Sequence, residues 1–494
     1  MKLLRSCCCL LALALAPLLP TAEPPDPSKA IDALMSRYFD YGQFNGTVLV
    51  AAAGEPIYRK GFGLANMEWE IPNTPDTRFR LGSITKQFTA ALILQLVSEG
   101  KVELDAPLSR YVPEYPAETG DRVTVHQLLT HTSGIKSYTS LPRFWKDLTR
   151  DAFKPLAFLS VFSAEKPDFS PGERFLYNNS GYFLLGVIIE KVAGKSYETA
   201  LEERIFKPLG MSGSGYDRHE KLITKRAGAY TQTLDGYVHD QWIDMSTPYA
   251  AGALYSTVED LYRWDQALYG DEVLSAEMKK LMFTEHAQPP GSKVGYGYGW
   301  LIEEADQPGE SDEPLEIIGH GGGIPGFSTL IQRIPADRHL VVLLNNTGGT
   351  KLGEMATKIR EILYGQRPED PKRPAAPEIY DAYQEGGSAA AIARFRQLRD
   401  ADGETDDLDP QQLRRVGAHL LTSGHAEDAI AVMTFHTAEF PRDAEAQVLL
   451  GDAQLAAGKK DDAAASYGRA LTLAPGRADA IAAKLREITG EKAP

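Results

Sequence analysis

Ser83 and Lys86 stand three residues apart in Leu81-Gly82-Ser83-Ile84-Thr85-Lys86-Gln87-Phe88, ahead of an apolar run with helical spacing. Three residues turn a helix by about 300° and advance it ~4.5 Å, so both side chains share one face. A desolvated lysine so placed loses its proton more readily and can take the hydroxyl proton as base. The expected chemistry is attack by Ser83 on a carbonyl and a transient acyl-enzyme. The backbone N–H of Ser83, at the helix start, is a candidate oxyanion donor. By itself S-x-x-K is weak, because it also describes a capping serine followed by a solvated lysine.

Two further elements give it company. Tyr177-Asn178-Asn179 precedes a second apolar helix; a buried phenol can shuttle a proton, and a carboxamide can grip a substrate carbonyl or the lysine. Ile318-Gly319-His320-Gly321-Gly322-Gly323 precedes the late strands, and its glycines allow close approach of backbone to substrate. A backbone N–H there can supply a second oxyanion donor.

Serine with lysine, then Y-x-N, then H-x-G, in this order, is the pattern of the serine β-lactamase and penicillin-binding-protein superfamily. More closely, the chain resembles the class C β-lactamase-related serine hydrolases, which include class C β-lactamases, D-alanyl-D-alanine carboxypeptidases, D-aminopeptidases and carboxylesterases. The resemblance also rests on Thr77-Arg78-Phe79-Arg80, on Leu128-Leu129-Thr130-His131-Thr132-Ser133-Gly134 and on Gly252-Ala253-Leu254-Tyr255-Ser256-Thr257. It implies Ser83 as nucleophile, Lys86 as base or proton relay, Tyr177 as general base or acid partner and Asn179 as a substrate-amide contact. His320 then stands where the lactamases place the lysine of a lysine-threonine-glycine triplet, with Gly321 and Gly322 following. Gly323 offers the second oxyanion N–H.

His320 departs from that pattern. Histidine is mostly neutral at pH 7, and Gly321 has no hydroxyl to give a substrate carboxylate. The departure favours an esterase or peptidase acting on small esters, amides or D-amino-acid peptides. A β-lactamase or D,D-carboxypeptidase is the alternative within enzymes; a catalytically silent ligand-sensing protein that works through its C-terminal region is the alternative outside them.

These residues need a scaffold. Gly46 to Val50 and Pro56 to Gly61 read as a hairpin, and Phe327 to Arg333 and Leu340 to Asn345 as late strands. Ser83 to Gly100 reads as a helix. The expected fold is therefore α/β: an antiparallel sheet assembled from both chain ends, flanked by helices, with an inserted helical region, over residues 28–364. His126 and His131 read as scaffold, Asp260 as a helix cap, and the aromatic run Tyr296 to Trp300 as a cleft lining or a core strand. Four prolines in ten residues, 368–377, mark an extended linker at 365–377. Beyond it, over 378–494, Gly417 and Gly451, Leu421 and Leu455, Gly424 and Gly458, Ala429 and Ala463, and Pro441 and Pro475 recur at a spacing of 34. That is the tetratricopeptide period of helical repeats, which present a groove to a peptide or pack on a neighbouring domain.

Lys2 and Arg5 before the apolar run Cys7 to Leu19 predict an export signal at 1–22 and a periplasmic or secreted protein without a membrane span. All 3 cysteines fall within that run, so the expected mature chain has neither disulfides nor thiol catalysis. A net charge of −15 argues against nucleic acid. No H-E-x-x-H, P-loop or G-x-S-x-G occurs, and nothing calls for a cofactor or metal. The expected partners are a small-molecule or peptide substrate and a protein or peptide on the repeats.

Overall fold

The structure, a computed structural model, describes residues 26–307, 314–401, 406–474 and 478–489. The expected export signal at 1–22 lies outside them. Seven antiparallel strands form the main sheet: β1 (Gly46–Ala52), β2 (Glu55–Gly61), β3 (Gly295–Tyr296), β4 (Leu301–Ala305), β5 (Leu315–Ile324), β6 (Phe327–Ile334) and β7 (His339–Asn345). Their order is β3-β4-β5-β6-β7-β1-β2. The two chain ends meet where β1 lies against β7, Gly46 opposite Asn345 through Ala51 opposite Leu340. An antiparallel sheet closed by both ends of the domain is the expected architecture.

Side chains alternate across each strand, and the central strands divide two cores accordingly. Leu49, Ala51, Leu340, Val342 and Leu344 face the larger core, shared with the inserted helical region. Val48, Val50, Val341 and Leu343 face the smaller one. Helix α1 (Pro27–Asp40) covers that second face. On the first face lie α2 (Thr85–Ser98), buried nearly all round, and α3 (Asn179–Ala193). The one-turn helix α4 (Tyr249–Gly252) packs against both, and α5 (Leu352–Leu363) joins α1 over the smaller core.

Three local expectations change. The glycine-rich segment around His320 is part of a ten-residue strand, β5. Glycines weaken a strand, but β6 pairs with β5 from Ile318 to Ile324 and holds it. Asp260 does not cap its helix: Thr257 does, accepting from the Asp260 amide, while the buried Asp260 carboxylate accepts from Gly213 N at 2.7 Å and Ser214 Oγ at 2.9 Å. And the linker turns helical before its expected end.

That turn begins α6 (Ala375–Asp400). Pro377 sits in its first turn, where an intrahelical N–H is not needed, so residues 375–377 are helical. The helix breaks at Gly386 and Gly387, whose dihedrals are non-helical. Then come α7 (Pro410–Thr422), α8 (Ala426–Glu439), α9 (Ala444–Ala456), α10 (Lys460–Leu473) and α11 (Ala478–Thr489). The α7–α8 pair recurs as α9–α10 with its bounds displaced by 34 residues, 410 to 444 and 426 to 460. This helical region touches the sheet-bearing domain at a hairpin of two short strands, Tyr230–Thr233 and Gly236–His239. Leu234 at the hairpin tip packs on the helical core, and Tyr380 Oη donates to Asp235 at 2.9 Å. Among the described residues no helix is long and apolar enough to cross a membrane.

Candidate active site

Ser83 sits in a single 3₁₀ turn, Gly82–Ile84, that feeds directly into α2. Gly82 makes this entry possible. Its φ is +55°, and a Cβ there would stand 2.9 Å from Gly323 N, so only glycine fits both the dihedral and the approach. The Ser83 turn is thereby pressed against β5. β4 pairs with β5 only as far as Gly319, and the segment His320–Gly323 continues past it into the site. A Cβ at Gly322 would lie 1.9 Å from Leu81 O.

Second in α2 and about one turn past Ser83, Lys86 is fully buried and all three of its donors are engaged. Nζ lies 3.0 Å from Ser83 Oγ, 2.9 Å from Asn179 Oδ1 and 2.8 Å from Ala251 O. No carboxylate is among these partners, and burial holds its pKa well below the ordinary lysine value. The three contacts also fix what a neutral Lys86 would do. An amide oxygen and a peptide carbonyl only accept, so they retain the two N–H groups. The lone pair is then left facing Ser83 Oγ–H. This is the arrangement of a general base with its nucleophile.

Asn179 opens α3, whose N-cap is Asn178, its side chain accepting from Gly181 N. The Asn179 carboxamide bridges Lys86 and Thr139: Oδ1 receives the lysine, and Nδ2 donates to Thr139 Oγ1 at 3.0 Å. Tyr177, two residues earlier, lays its ring 4.8 Å from Lys86 Nζ. Its hydroxyl is buried and makes no hydrogen bond among the described residues. Burial pushes the phenol pKa up, and the neighbouring Ser83 hydroxyl acts against that rise. A neutral phenol beside the Ser83 hydroxyl is placed to exchange a proton with a leaving group.

His320 is held as a neutral ring. Nδ1 lies 2.6 Å from Gly321 O, which can only accept, so Nδ1 carries the proton. Nε2 then accepts from Tyr296 Oη at 3.1 Å. Burial, with Lys86 nearby, lowers its pKa to about 4. The ring therefore brings no positive charge at neutral pH. Gly321, by contrast with Gly322, has room: a Cβ would meet Thr329 O at 3.7 Å.

Ser83, Asn179 and Gly323 line one small cleft of about 70 Å³, together with Tyr138, Phe144, Trp145 and Ile243. No charged side chain is among its lining residues. The site thus gathers Ser83, Lys86, Tyr177, Asn179, His320, Gly322 and Gly323 from three separate stretches of chain. Residue types alone did not point to Ala251, which acts through its carbonyl, or to Thr139. Tyr296 was visible only as part of the aromatic run, which is core-facing throughout. Among the described residues no group of three or more metal-ligating side chains occurs.

The family model described as Beta-lactamase matches residues 29–364. The chain belongs to that family. A penicillin-binding protein of Bacillus subtilis (strain 168) is 32% identical over 371 residues, which span 70% of this chain and 78% of that relative. Esterase EstB of Burkholderia gladioli is 27% identical over 377 residues, 68% of this chain and 95% of the esterase. Among solved structures, the D-amino acid amidase of Ochrobactrum anthropi SV3, in complex with L-phenylalanine amide, superposes with a TM-score of 0.59 at 28% identity. It covers 69% of this chain and 98% of the amidase. The family fold is an antiparallel sheet with many helices, and its members include serine hydrolases of ester, amide and β-lactam type. The family match ends at residue 364, before the C-terminal helices.

Proposed function

We propose that this chain is an exported serine hydrolase that forms an acyl-enzyme on Ser83 from small esters, amides or D-amino-acid peptides. The observation that carries the reading is Lys86: buried, without a carboxylate partner, and tied by two acceptor-only oxygens so that its remaining valence faces Ser83 Oγ. In the first step Oγ attacks the carbonyl carbon and its proton passes to Lys86 Nζ. The oxyanion forms against the Ser83 and Gly323 amides. Tyr177 relays a proton to the leaving alkoxide or amine, and the ester bond to Oγ completes the acyl-enzyme. Water, deprotonated by the same pair, then releases the acid.

The substrate preference rests on His320 and the cleft walls. A neutral histidine and an uncharged lining give a substrate carboxylate no cation, whereas an ester or amide carbonyl needs only the oxyanion donors. The named activities of the esterase and the D-amino acid amidase agree with that preference. Export is proposed from Lys2, Arg5 and the apolar run that follows. The helices after residue 377 are proposed to be tetratricopeptide-like, on the 34-residue recurrence of helix bounds and glycines, and to offer a protein or peptide docking surface.

A fluorophosphonate should label Ser83 in the folded protein, and Ser83→Ala should remove both labelling and turnover, a loss of about 10⁴-fold or more, with an unchanged melting temperature. Absence of labelling would favour a ligand-sensing protein. In a panel of p-nitrophenyl esters, D-amino-acid amides and nitrocefin, the esters or amides should lead. Nitrocefin turnover equal to ester turnover would overturn the substrate preference.

A further inference from the structure

His131 is a fully buried imidazole that the acyl-transfer cycle does not use. We propose that His131 is a positioning residue for Tyr177, holding the phenol at the nucleophile by bracketing the peptide on both sides of it. The proposal rests on the acyl-enzyme reading above.

Two hydrogen bonds form the bracket. The carbonyl of His131 accepts from the amide of Leu176 at 2.9 Å, and its ring Nδ1 accepts from the amide of Asn178 at 3.0 Å. Residues immediately before and after Tyr177 are thus tied to one residue, and Tyr177 has no freedom to shift along the chain. The ring completes the clamp, lying 4.3 Å from the Tyr177 ring, centroid to centroid, and 4.6 Å from that of Tyr296. Tyr177 Oη has the Ser83 hydroxyl beside it but makes no hydrogen bond of ordinary geometry among the described residues, so backbone and ring contacts are what fix the ring.

The bracket needs a neutral ring and an unusual backbone. Nδ1 accepts only when unprotonated, so the proton sits on Nε2, which meets no acceptor among the described residues. His131 also has φ +59°, a conformation that histidine, asparagine and aspartate tolerate better than other side chains. In that dihedral the carbonyl and the side chain both turn toward residues 176–178. Asparagine places an amide oxygen where Nδ1 stands and accepts the same φ, which gives the test its rescue variant.

The experiment measures kcat and KM for p-nitrophenyl acetate, and the rate of Ser83 labelling by a fluorophosphonate, in the full chain. His131→Gly keeps the backbone dihedral and loses the acceptor and the ring. It should lower kcat and labelling rate by about 10²-fold and leave KM within about 3-fold. His131→Asn should recover to within about 5-fold of wild type. In a Tyr177→Phe background the His131→Gly change should add less than about 3-fold, since a residue acting through Tyr177 has nothing left to position. If the glycine variant melts below the assay temperature, all variants are assayed below its melting temperature, and the asparagine rescue is read there. An undiminished effect in the Tyr177→Phe background, or an asparagine variant as poor as glycine, overturns the proposal while leaving the acyl-enzyme intact. Failure of wild type to label at Ser83 overturns both.

Discussion

At the Ser83 cleft, glycine lets backbone approach backbone. A Cβ at Gly322 would lie 1.9 Å from Leu81 O, and one at Gly82 2.9 Å from Gly323 N. In the C-terminal helices glycine instead admits side chains: a Cβ at Gly417 would meet Met433 Sδ at 2.3 Å, and one at Gly451 the Tyr467 ring at 2.7 Å. The difference is one of compliance. Two backbones that each belong to a paired element cannot separate without moving the nucleophile turn or the strand beside it. A helix pair can re-pack a side chain and keep its axes. Position matters to tenths of an ångström where bonds are made, and only volume matters where helices stack.

Gly322→Ala should break the cleft side of this comparison most severely. Thr329 Oγ1, 2.3 Å from the new methyl group, can rotate away, but Leu81 O is backbone, so β5 or the Ser83 turn must move. We expect a loss of 10²-fold or more in ester turnover, in line with the cost of about 1 Å of misplacement, and a lower melting temperature. Gly321→Ala, one residue earlier and with its nearest atom at 3.7 Å, should keep activity within a few-fold. Equal effects at the two positions would show that strand propensity, not the approach to Leu81, governs this segment.

The buried titratable groups separate the two regions in a second way. In the helical region burial also lowers the pKa of His436, but Nε2 has a carboxylate partner, Asp443, at 2.9 Å that opposes the fall. In the cleft His320 and His131 have none, and their pKa values fall because burial and Lys86 both disfavour a second charge. The sign of the consequence is fixed. Above about pH 6.5 His320 is neutral folded and unfolded, and contributes nothing. As pH falls from there to about 4, the unfolded chain takes a proton that the folded chain refuses. Stability is therefore lost on acidification, by about 3 kcal/mol for His320, with His131 adding in the same direction. Denaturant titrations of wild type and His320→Gln between pH 7 and 4 should diverge in this sense. Parallel curves would mean that His320 is not held neutral.

How much of this was legible in the sequence follows from which atoms do the holding. Ser83, Lys86, Tyr177 and Asn179 announce themselves by side-chain type and spacing, and the hairpin and late strands by alternation. Ala251 contributes a carbonyl, which every residue has, so no residue type marks it. Strand β5 was hidden for a related reason: its glycines carry no apolar pattern, and its existence depends on the pairing supplied by β6. The end of the linker was misplaced because proline is tolerated in a first helical turn and forbidden only later. Asp260 sits where a capping residue is expected, yet the cap is Thr257 and the carboxylate serves the Gly213–Ser214 loop.

The helical region offers the smallest and most discriminating test. Gly417 and Gly451 are equivalent in the two helix pairs, and so are the residues over them, Met433 and Tyr467. Methionine has three rotatable bonds and can withdraw its sulfur from a new methyl group. Tyr467 is fully buried, with a rigid ring. Gly→Ala in a helix gains up to about 1 kcal/mol from backbone entropy, and overpacking costs about 1–3 kcal/mol. The two terms should nearly cancel at Gly417, where the neighbour yields, and leave a net loss of about 1–2 kcal/mol at Gly451, where it does not. Chemical denaturation of the two variants measures the difference directly, and ester turnover should stay unchanged in both. A Gly417→Ala variant as unstable as Gly451→Ala would mean that the helix pairs pack as rigidly as the cleft, and would remove the contrast between the two regions.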